Sequence, residues 1–582
     1  MRLQPLTNGF AVACGLLLLS SGSLTAQDVV VQGRAYDIRP PAWVTARLQQ
    51  DPTAFEFRRV WKQKVRRIRL MRQAVAPLLG PSYSAAQLVA QAAAVTGTMS
   101  IPVLPGLYSD ATAPYTQAEY QNRLFGDGAG SVSLSEYYQE VSGGLFSMTG
   151  QVSDWIPLPN PASYYEPSSD TDETFGRVGE FLRDVLTGAD NTVDFSQFDN
   201  DGPDGTPNSG DDDGYVDVAA FIYAAEPASC GGPGIWPHRW VYEAHWGAAF
   251  TTNDASANGG FIRVSDYVVQ EGLACGGAGI MASGTIAHEM GHGLGLPDLY
   301  DTDSEDGTDS EGIGHWGLMG SGNWNRSTWP AHMSAWSKDF LGWVNVSVLA
   351  SNQTGLQLQG VQTSRSVIRV DVPGTSEYFL LANRQSFGSD LYVHGTGLLI
   401  WHIDQSVIDA QAPYNRINAD ADHKGVDLEE ADGLRDLDFS VNRGDAGDPF
   451  PGSIGNTEFH ALSNPSSLSY QGNLSGLAIR NISHISGVIT LDLAVDELAL
   501  MVWGDVNGDA AVDAADVDLL YLYALGYAVD ETHMANGDVD ADGDVDFMDG
   551  FIIHSYVQGI DTSQYRVGEY GAASTLARPG MR

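Results

Sequence analysis

Apolar and polar positions change their rhythm several times along this chain. The first 26 residues, MRLQPLTNGFAVACGLLLLSSGSLTA, set a basic residue ahead of an apolar run through Leu19 and small residues before Gln27. That is the three-part pattern of a secretory signal, with cleavage expected after Ala26. The run falls short of the roughly 20 residues that span a bilayer, so export is preferred to a membrane anchor. Residues 54–76 read as a basic helix and pass into an Ala-rich stretch to about residue 95. From residue 99 short apolar runs between Gly, Asn, Asp and Pro mix with helical periods, an α/β pattern that ends in a helix over PAHMSAWSKDFLGW (330–343).

Beyond residue 350 the period shortens. VIRVDV, EYFLLANR, GLLIWHID and GVITLDLAV are strand-like runs between turn clusters, which predicts a β-sandwich-like unit. An acidic repeat with two apolar helical runs follows, and then a tail expected to be disordered. The expected division is a signal at 1–26, a pro-segment at 27–98, an α/β catalytic unit at 99–345 and a β-rich unit at 346–497. A small helical calcium module at 498–560 and the tail at 561–582 complete it.

Composition narrows the function classes. With 43% hydrophobic residues the chain can build packed cores, and with 30 basic against 73 acidic residues it carries a formal charge of −43. Such a surface repels phosphate backbones, which excludes a nucleic-acid binder. The charge is uneven: residues 27–95 hold eleven basic and four acidic residues, so everything after them is still more acidic. A basic segment ahead of an acidic body can dock on it as a detachable inhibitory pro-segment, or stand as a solvated helix. Cys14 lies in the signal, leaving Cys230 and Cys275 to form one disulfide or to remain two buried thiols.

The chemistry concentrates in GTIAHEMGHGLGLPD (284–298). On a helix His288 and His292 stand one turn apart on one face, so both imidazoles reach one ion, and Glu289 beside them can take a proton from an activated water. The full pattern is H-E-x-x-H-x-x-G-x-x-D. Gly295 lets the helix stop and the backbone turn back, which can deliver Asp298 to the same ion. Two imidazoles and one carboxylate leave a coordination position open, as in a catalytic zinc site. Asp301, Asp303 and His315 are nearby substitutes for the third ligand, and Tyr300 is a candidate for oxyanion stabilisation.

HEMGHGLGLPDLYD (288–301), followed by HWGLMGSGNW (315–324) and LGW (341–343), resembles the immune inhibitor A-type secreted metallopeptidases, a metzincin-like group of zinc endopeptidases. SEYYQEVSGGLFSMTGQVSDWIPLP (135–159), NRQSFGSDLYVHGTGLLIWHID (383–404) and GDAGDPFPG (444–452) extend the likeness over residues 100–495. The resemblance implies a pro-segment, a catalytic domain and a β-rich domain behind it. It makes His288, His292 and Asp298 zinc ligands and Glu289 the general base, acting on peptide or protein substrates. Met319 matches the methionine turn of that group, although by spacing alone it reads as a core Met. No cysteine lies in 27–98, so latency would use steric blocking or a ligand such as Asp51 or Glu56.

Acidic clusters supply the second chemistry. GDVNGDAAVDAAD (504–516) and GDVDADGDVDFMD (537–549) repeat at an offset of 33 residues. Oxygen ligands fall in EF-hand order at Asp505, Asn507, Asp509, Asp513 and Asp516, and again at Asp538, Asp540, Asp542, Asp546 and Asp549. Gly543 fills the turn position of the second loop, whereas Ala510 stands there in the first. Paired loops with one helix each resemble dockerin modules, which implies a cohesin-like scaffold partner; a self-contained calcium-stabilised tail is the alternative. A third cluster at 198–217 offers Asp199, Asp201, Asp204, Asp213 and Asp217 for a structural calcium, and Asp445 and Asp448 form a weaker site. The reading that results is a secreted, calcium-stabilised zinc endopeptidase. The alternative is an inactive calcium-dependent surface or scaffold binding protein, which a missing Glu289 would have favoured.

Overall fold

The computed structural model describes residues 94–127, 130–166, 177–202, 204–230, 234–302, 310–497, 500–508, 511–529, 533–568 and 570–572. The expected signal, the basic helix at 54–76 and nearly all of the pro-segment lie outside them.

The first unit is a three-layer α/β arrangement. Strand β1 (Gly97–Leu107) is followed by helices α1 (Gln117–Phe125) and α2 (Leu134–Val141). Both helices open on capping boxes, Thr116 with Glu119 and Ser133 with Glu136, which satisfy backbone N–H groups at their first turns. Then come β2 (Phe146–Val152), β3 (Ile156–Pro157), α3 (Val178–Ala189), β4 (Ala219–Tyr223) and β5 (His238–Val241). A hairpin of β6 (Phe250–Ala255) and β7 (Phe261–Val264) precedes β8 (Asp266–Glu271).

The main sheet runs β2-β1-β4-β8-β5, with β3 also paired to β1. All its pairs are parallel except β5 with β8, which makes β5 an antiparallel edge. Because side chains alternate across a strand, β1 sends Ile101 and Val103 to one face and Leu104 to the other. On the first face they meet Tyr138 of α2 and Ile286 and Met290 of helix α4 (Ser283–Gly293). On the second they meet Phe181, Leu182 and Val185 of α3. Both faces being covered explains why β4, AAFIY, is apolar throughout.

The helix expected over 330–343 is shorter, α5 (Ala335–Leu341). Ser334 caps it by accepting from Ser337 N, and Gly342 ends it in the left-handed region at φ 77°.

The β-rich unit contains two sheets. One has the order β14-β13-β12-β11-β9, built from β9 (Asn345–Val348), β11 (Ser366–Asp371), β12 (Glu377–Arg384), β13 (Gly397–Asp404) and β14 (Val426–Leu428). The other is β10-β16-β15, from β10 (Gln353–Leu358), β15 (Gly476–Ile485) and β16 (Val488–Glu497). Phe379, Leu381, Leu398 and Ile400 of the first sheet share a core with Ile479, Leu491 and Leu493 of the second. Their alternating neighbours Tyr378, Leu380, Leu399, Trp401 and Ile403 belong to the same buried cluster as Ile286 and Met290 of α4. The β-rich unit therefore packs on the α/β unit, with α5 lying against β12 and β13, and both strands are buried along their whole length.

In the C-terminal module α6 (Ala514–Ala524) and α7 (Phe547–Val557) pack on Trp503, Val506, Leu520, Val539 and Ile553. The stretch after residue 560, expected to be disordered, is ordered as far as 572 where it is described. Strand β17 (Leu500–Val502) pairs with β18 (Tyr570–Ala572), and the Arg566 guanidinium lies 3.3 Å from the centre of the Trp503 ring. A polar, turn-rich composition hid this return because the pairing partner is more than sixty residues away in the chain. Residues 573–582 lie outside the described residues.

Candidate metal centre

Helix α4 delivers the two imidazoles from the chain's own periodicity. His288 and His292 are one turn apart, with ring centroids separated by 5.0 Å. Each ring is oriented by a backbone carbonyl: His288 Nδ1 donates to Leu318 O and His292 Nδ1 to Leu296 O, both at 2.8 Å. That arrangement turns each Nε2 inward, toward the position a metal would take. Gly295 adopts φ 89° just past the helix end and donates to His292 O at 2.8 Å, so the chain reverses where only Gly is unstrained. The reversal carries Asp298 back, and its Oδ1 lies 3.0 Å from His288 Nε2 and 3.3 Å from His292 Nε2. His288, His292 and Asp298 thus present one N, one N and one O within 4.8 Å of one another. Two imidazoles and a carboxylate in a buried pocket are a donor set that fits zinc.

Electrostatics follow from that crowding. Burial opposes a charge on His288, but the hydrogen bond and charge of Asp298 outweigh it and raise the imidazole to about 9. Burial likewise pushes Asp298 up, yet the two imidazoles hold it well below the usual carboxylate range. A metal ion bound there would take the place of the proton between His288 and Asp298. Glu289 is buried, and desolvation lifts its carboxyl above the ordinary range against the pull of His288, His292 and Arg239.

Met319 lies directly under the helix. A Cβ built on Gly291 would stand 2.5 Å from Met319 Sδ, and Leu299 N donates to Met319 O at 2.7 Å. The Tyr300 ring stacks alongside His288 at 6.4 Å. Of the substitute ligands, His315 is turned into a hydrogen bond between its Nδ1 and His394 Nε2 at 2.8 Å; Asp301 is buried but is not among the clustered donors; Asp303 lies outside the described residues.

The C-terminal repeat keeps its register in three dimensions. Asp516 Oδ1 accepts from Val506 N and Asn507 N, and 33 residues later Asp549 Oδ1 accepts from Val539 N and Asp540 N. Asp513 and Asp546 each cap the helix that follows. In the second loop Asp538, Asp540 and Asp549 converge, and so do Asp544, Asp546 and Asp549. Asp542 instead accepts from Asp544 N at 3.1 Å. Asp505 Oδ1 in the first loop accepts from Gly508 N at 2.7 Å, while Asp509 lies outside the described residues.

Comparison with known proteins finds two families along the chain. Residues 107–345 match the immune inhibitor A peptidase M6 catalytic domain, and residues 503–558 match the dockerin type I domain. The chain carries an M6 peptidase domain and a dockerin domain. A pre-pro-metalloprotease, PrtV, of Vibrio cholerae serotype O1 is 29% identical over 266 residues, covering 41% of this chain and 28% of that protein. Immune inhibitor A of Bacillus thuringiensis subsp. alesti is 30% identical over 272 residues, covering 42% of this chain and 38% of that protein. The chain thus spans 28% and 38% of the lengths of these curated relatives.

Within the M6 domain a further acidic cluster joins Asp199, Asp201 and Asp212, all buried. Asp199 Oδ1 is buried without a hydrogen-bond partner among the described residues. Burial, and then the charges of Asp212, Asp213 and Asp201, push Asp199 up to about 7, the signature of a carboxylate lacking a countercharge. Asp204 is exposed, with Oδ1 accepting from Thr206 N; Asp213 Oδ1 accepts from Tyr215 N; Asp217 is buried beside Asn200. Asp212 stands in the run Asp211–Asp213, where sequence spacing does not reveal which carboxylate turns inward. Asp448 gathers with Glu430 and Asp432, while Asp445 accepts from Gly447 N.

Cys275 is disulfide-bonded, and the side chain of Cys230 lies outside the described residues. Among the described residues no helix is long and apolar enough to cross a membrane.

Proposed function

We propose that this protein is a zinc-dependent endopeptidase, made as a secreted zymogen, stabilised by calcium and acting on extracellular proteins or peptides. One observation carries the reading: an N, N, O donor set, buried at His288 and Asp298 and half-buried at His292, with the carboxylate of Glu289 on the same helix turn. A closed structural site would take a fourth protein ligand, and among the described residues the cluster has three. The buried disposition of the ligands and the methionine beneath them are consistent with a metzincin-like sub-fold.

Zinc bound there would polarise a scissile carbonyl and make a water molecule acidic enough to attack it at neutral pH. The protein's own groups do the rest. His288 and His292 are held by Leu318 O and Leu296 O, so the donor atoms need no reorganisation when metal enters. Glu289, its carboxyl raised by burial, would accept a proton from the attacking water and return it to the leaving amine. The buried walls around it exclude competing water.

Calcium at Asp199, Asp201 and Asp212, and in the two C-terminal loops, would offset the mutual repulsion of these gathered carboxylates. Leu525, Tyr527 and Phe551 of the dockerin module are each about three-fifths exposed, which supports a docking face for a cohesin-like partner. The intact Glu289 favours the enzyme over an inactive scaffold component.

The test pairs metal analysis with casein hydrolysis. Glu289→Ala should retain one zinc per chain and lose about 100- to 10,000-fold in rate, whereas His292→Ala should lose both metal and activity. Near-normal hydrolysis by the Glu289 variant removes the mechanism.

A further inference from the structure

We propose that Asn415, supplied by the β-rich unit, is a positioning residue for Asp298 and so for the metal centre; the inference rests on the zinc-site reading above. Asn415 lies outside the part of the chain that matches the M6 catalytic domain, and 117 residues separate it from the aspartate it holds. Its side chain grips Asp298 at two points. Nδ2 donates to Asp298 Oδ2 at 2.6 Å, and Oδ1 accepts from Asp298 N at 2.8 Å. One oxygen of the carboxylate is thereby occupied, and Oδ1 is left as the oxygen that faces both imidazoles. Unheld, a carboxylate after a glycine turn is free to rotate and offer either oxygen, or neither.

The backbone around Asn415 suits the task. It sits at φ 56°, ψ 36°, a left-handed conformation that Asn tolerates better than other residues with a Cβ. Its own carbonyl accepts from Thr302 Oγ1 at 2.6 Å. Three residues on, the fully buried Asn418 donates to Leu299 O at 3.0 Å and to Val426 O at 2.8 Å, and accepts from Val426 N at 3.0 Å. Asn415 thus holds both ends of the turn 298–302, and Asn418 ties Leu299 within it to strand β14. The third ligand is fixed from a different unit of the chain than the two imidazoles, so the metal centre is complete only when the β-rich unit is docked on the turn that follows α4.

The experiment uses the full chain stripped of metal, with zinc affinity measured by competition against a chromophoric chelator and cobalt(II) taken as a spectroscopic probe. Asn415→Gly keeps the left-handed backbone without strain and removes both side-chain contacts. It should weaken zinc binding about 10- to 100-fold and alter the cobalt d–d bands, while the far-UV circular dichroism of the metal-free chain stays unchanged. Asn415→Asp keeps the acceptor for Asp298 N but sets a carboxylate where the donor was, and should weaken binding as well; it carries the test if the glycine variant fails to fold. Wild-type zinc affinity together with superimposable cobalt spectra in these variants overturns the proposal. His292→Gln is the control: if that variant binds zinc as tightly as the wild type, the zinc-site reading itself fails, and the role of Asn415 fails with it.

Discussion

Gly291 sits between His288 and His292, and its missing side chain is where Met319 fits. A methyl group there would meet Sδ at 2.5 Å, closer than atoms pack. Gly291→Ala should therefore destabilise the fold by about 1–3 kcal/mol. Combining it with Met319→Ala should cost less than the two single changes added together, because the clash disappears with the sulfur. Thermal or denaturant unfolding of the four proteins checks this. At this scale the His, Glu, Gly and Asp positions were legible because an α-helix and one glycine turn fix them within eleven residues. The role of Met319 needed the resemblance, since spacing alone does not separate it from any core Met. Asn415 was illegible: its contact with Asp298 is made only by the docking of two units, and a lone Asn in a loop carries no periodic signal.

Elements set the next level, and two of them make predictions. The turn after α4 depends on Gly295 at φ 89°, so Gly295→Ala should cost about 1–2 kcal/mol of backbone strain. It should also weaken zinc retention by shifting Asp298, as read by metal content after dialysis.

On β13, His402 is buried between Phe379 and Tyr470 and bonded to Glu377 at 2.9 Å and Glu429 at 3.2 Å. Burial opposes its charge, but the two carboxylates raise it to about 9, against about 6.5 when unfolded. A raised imidazole favours the folded state fully below pH 6.5, and that contribution is lost as pH climbs through 9. The melting-point gap between wild type and His402→Gln should accordingly be widest near pH 6 and close by pH 10. The strand itself was legible as GLLIWHID, and the polar His within it gave no hint of its partners. Burial of both faces of β12 and β13 made their runs apolar without alternation, which conceals which residues face the other sheet and which face the α/β unit.

The whole molecule carries a formal charge of −43, and its carboxylates are gathered in clusters that are costly to bury without cations. Removing calcium with EGTA should lower the unfolding temperature, and added salt should restore part of the loss by screening the carboxylates from one another. An unchanged melting curve would remove calcium from the account. The order of units was legible from the changes of period along the chain, but their mutual packing was not. The return of Arg566 to Trp503 and the docking of the β-rich unit on α5 and on the turn at Asp298 are both long-range contacts. The central claim is one zinc ion at the meeting of α4 and its returning turn. Anomalous diffraction at the zinc edge from crystals of the full chain tests it most directly. The account predicts one strong peak about 2.0–2.2 Å from His288 Nε2, His292 Nε2 and Asp298 Oδ1; a zinc-loaded crystal with no peak there, or with Asp298 turned away from it, would contradict it.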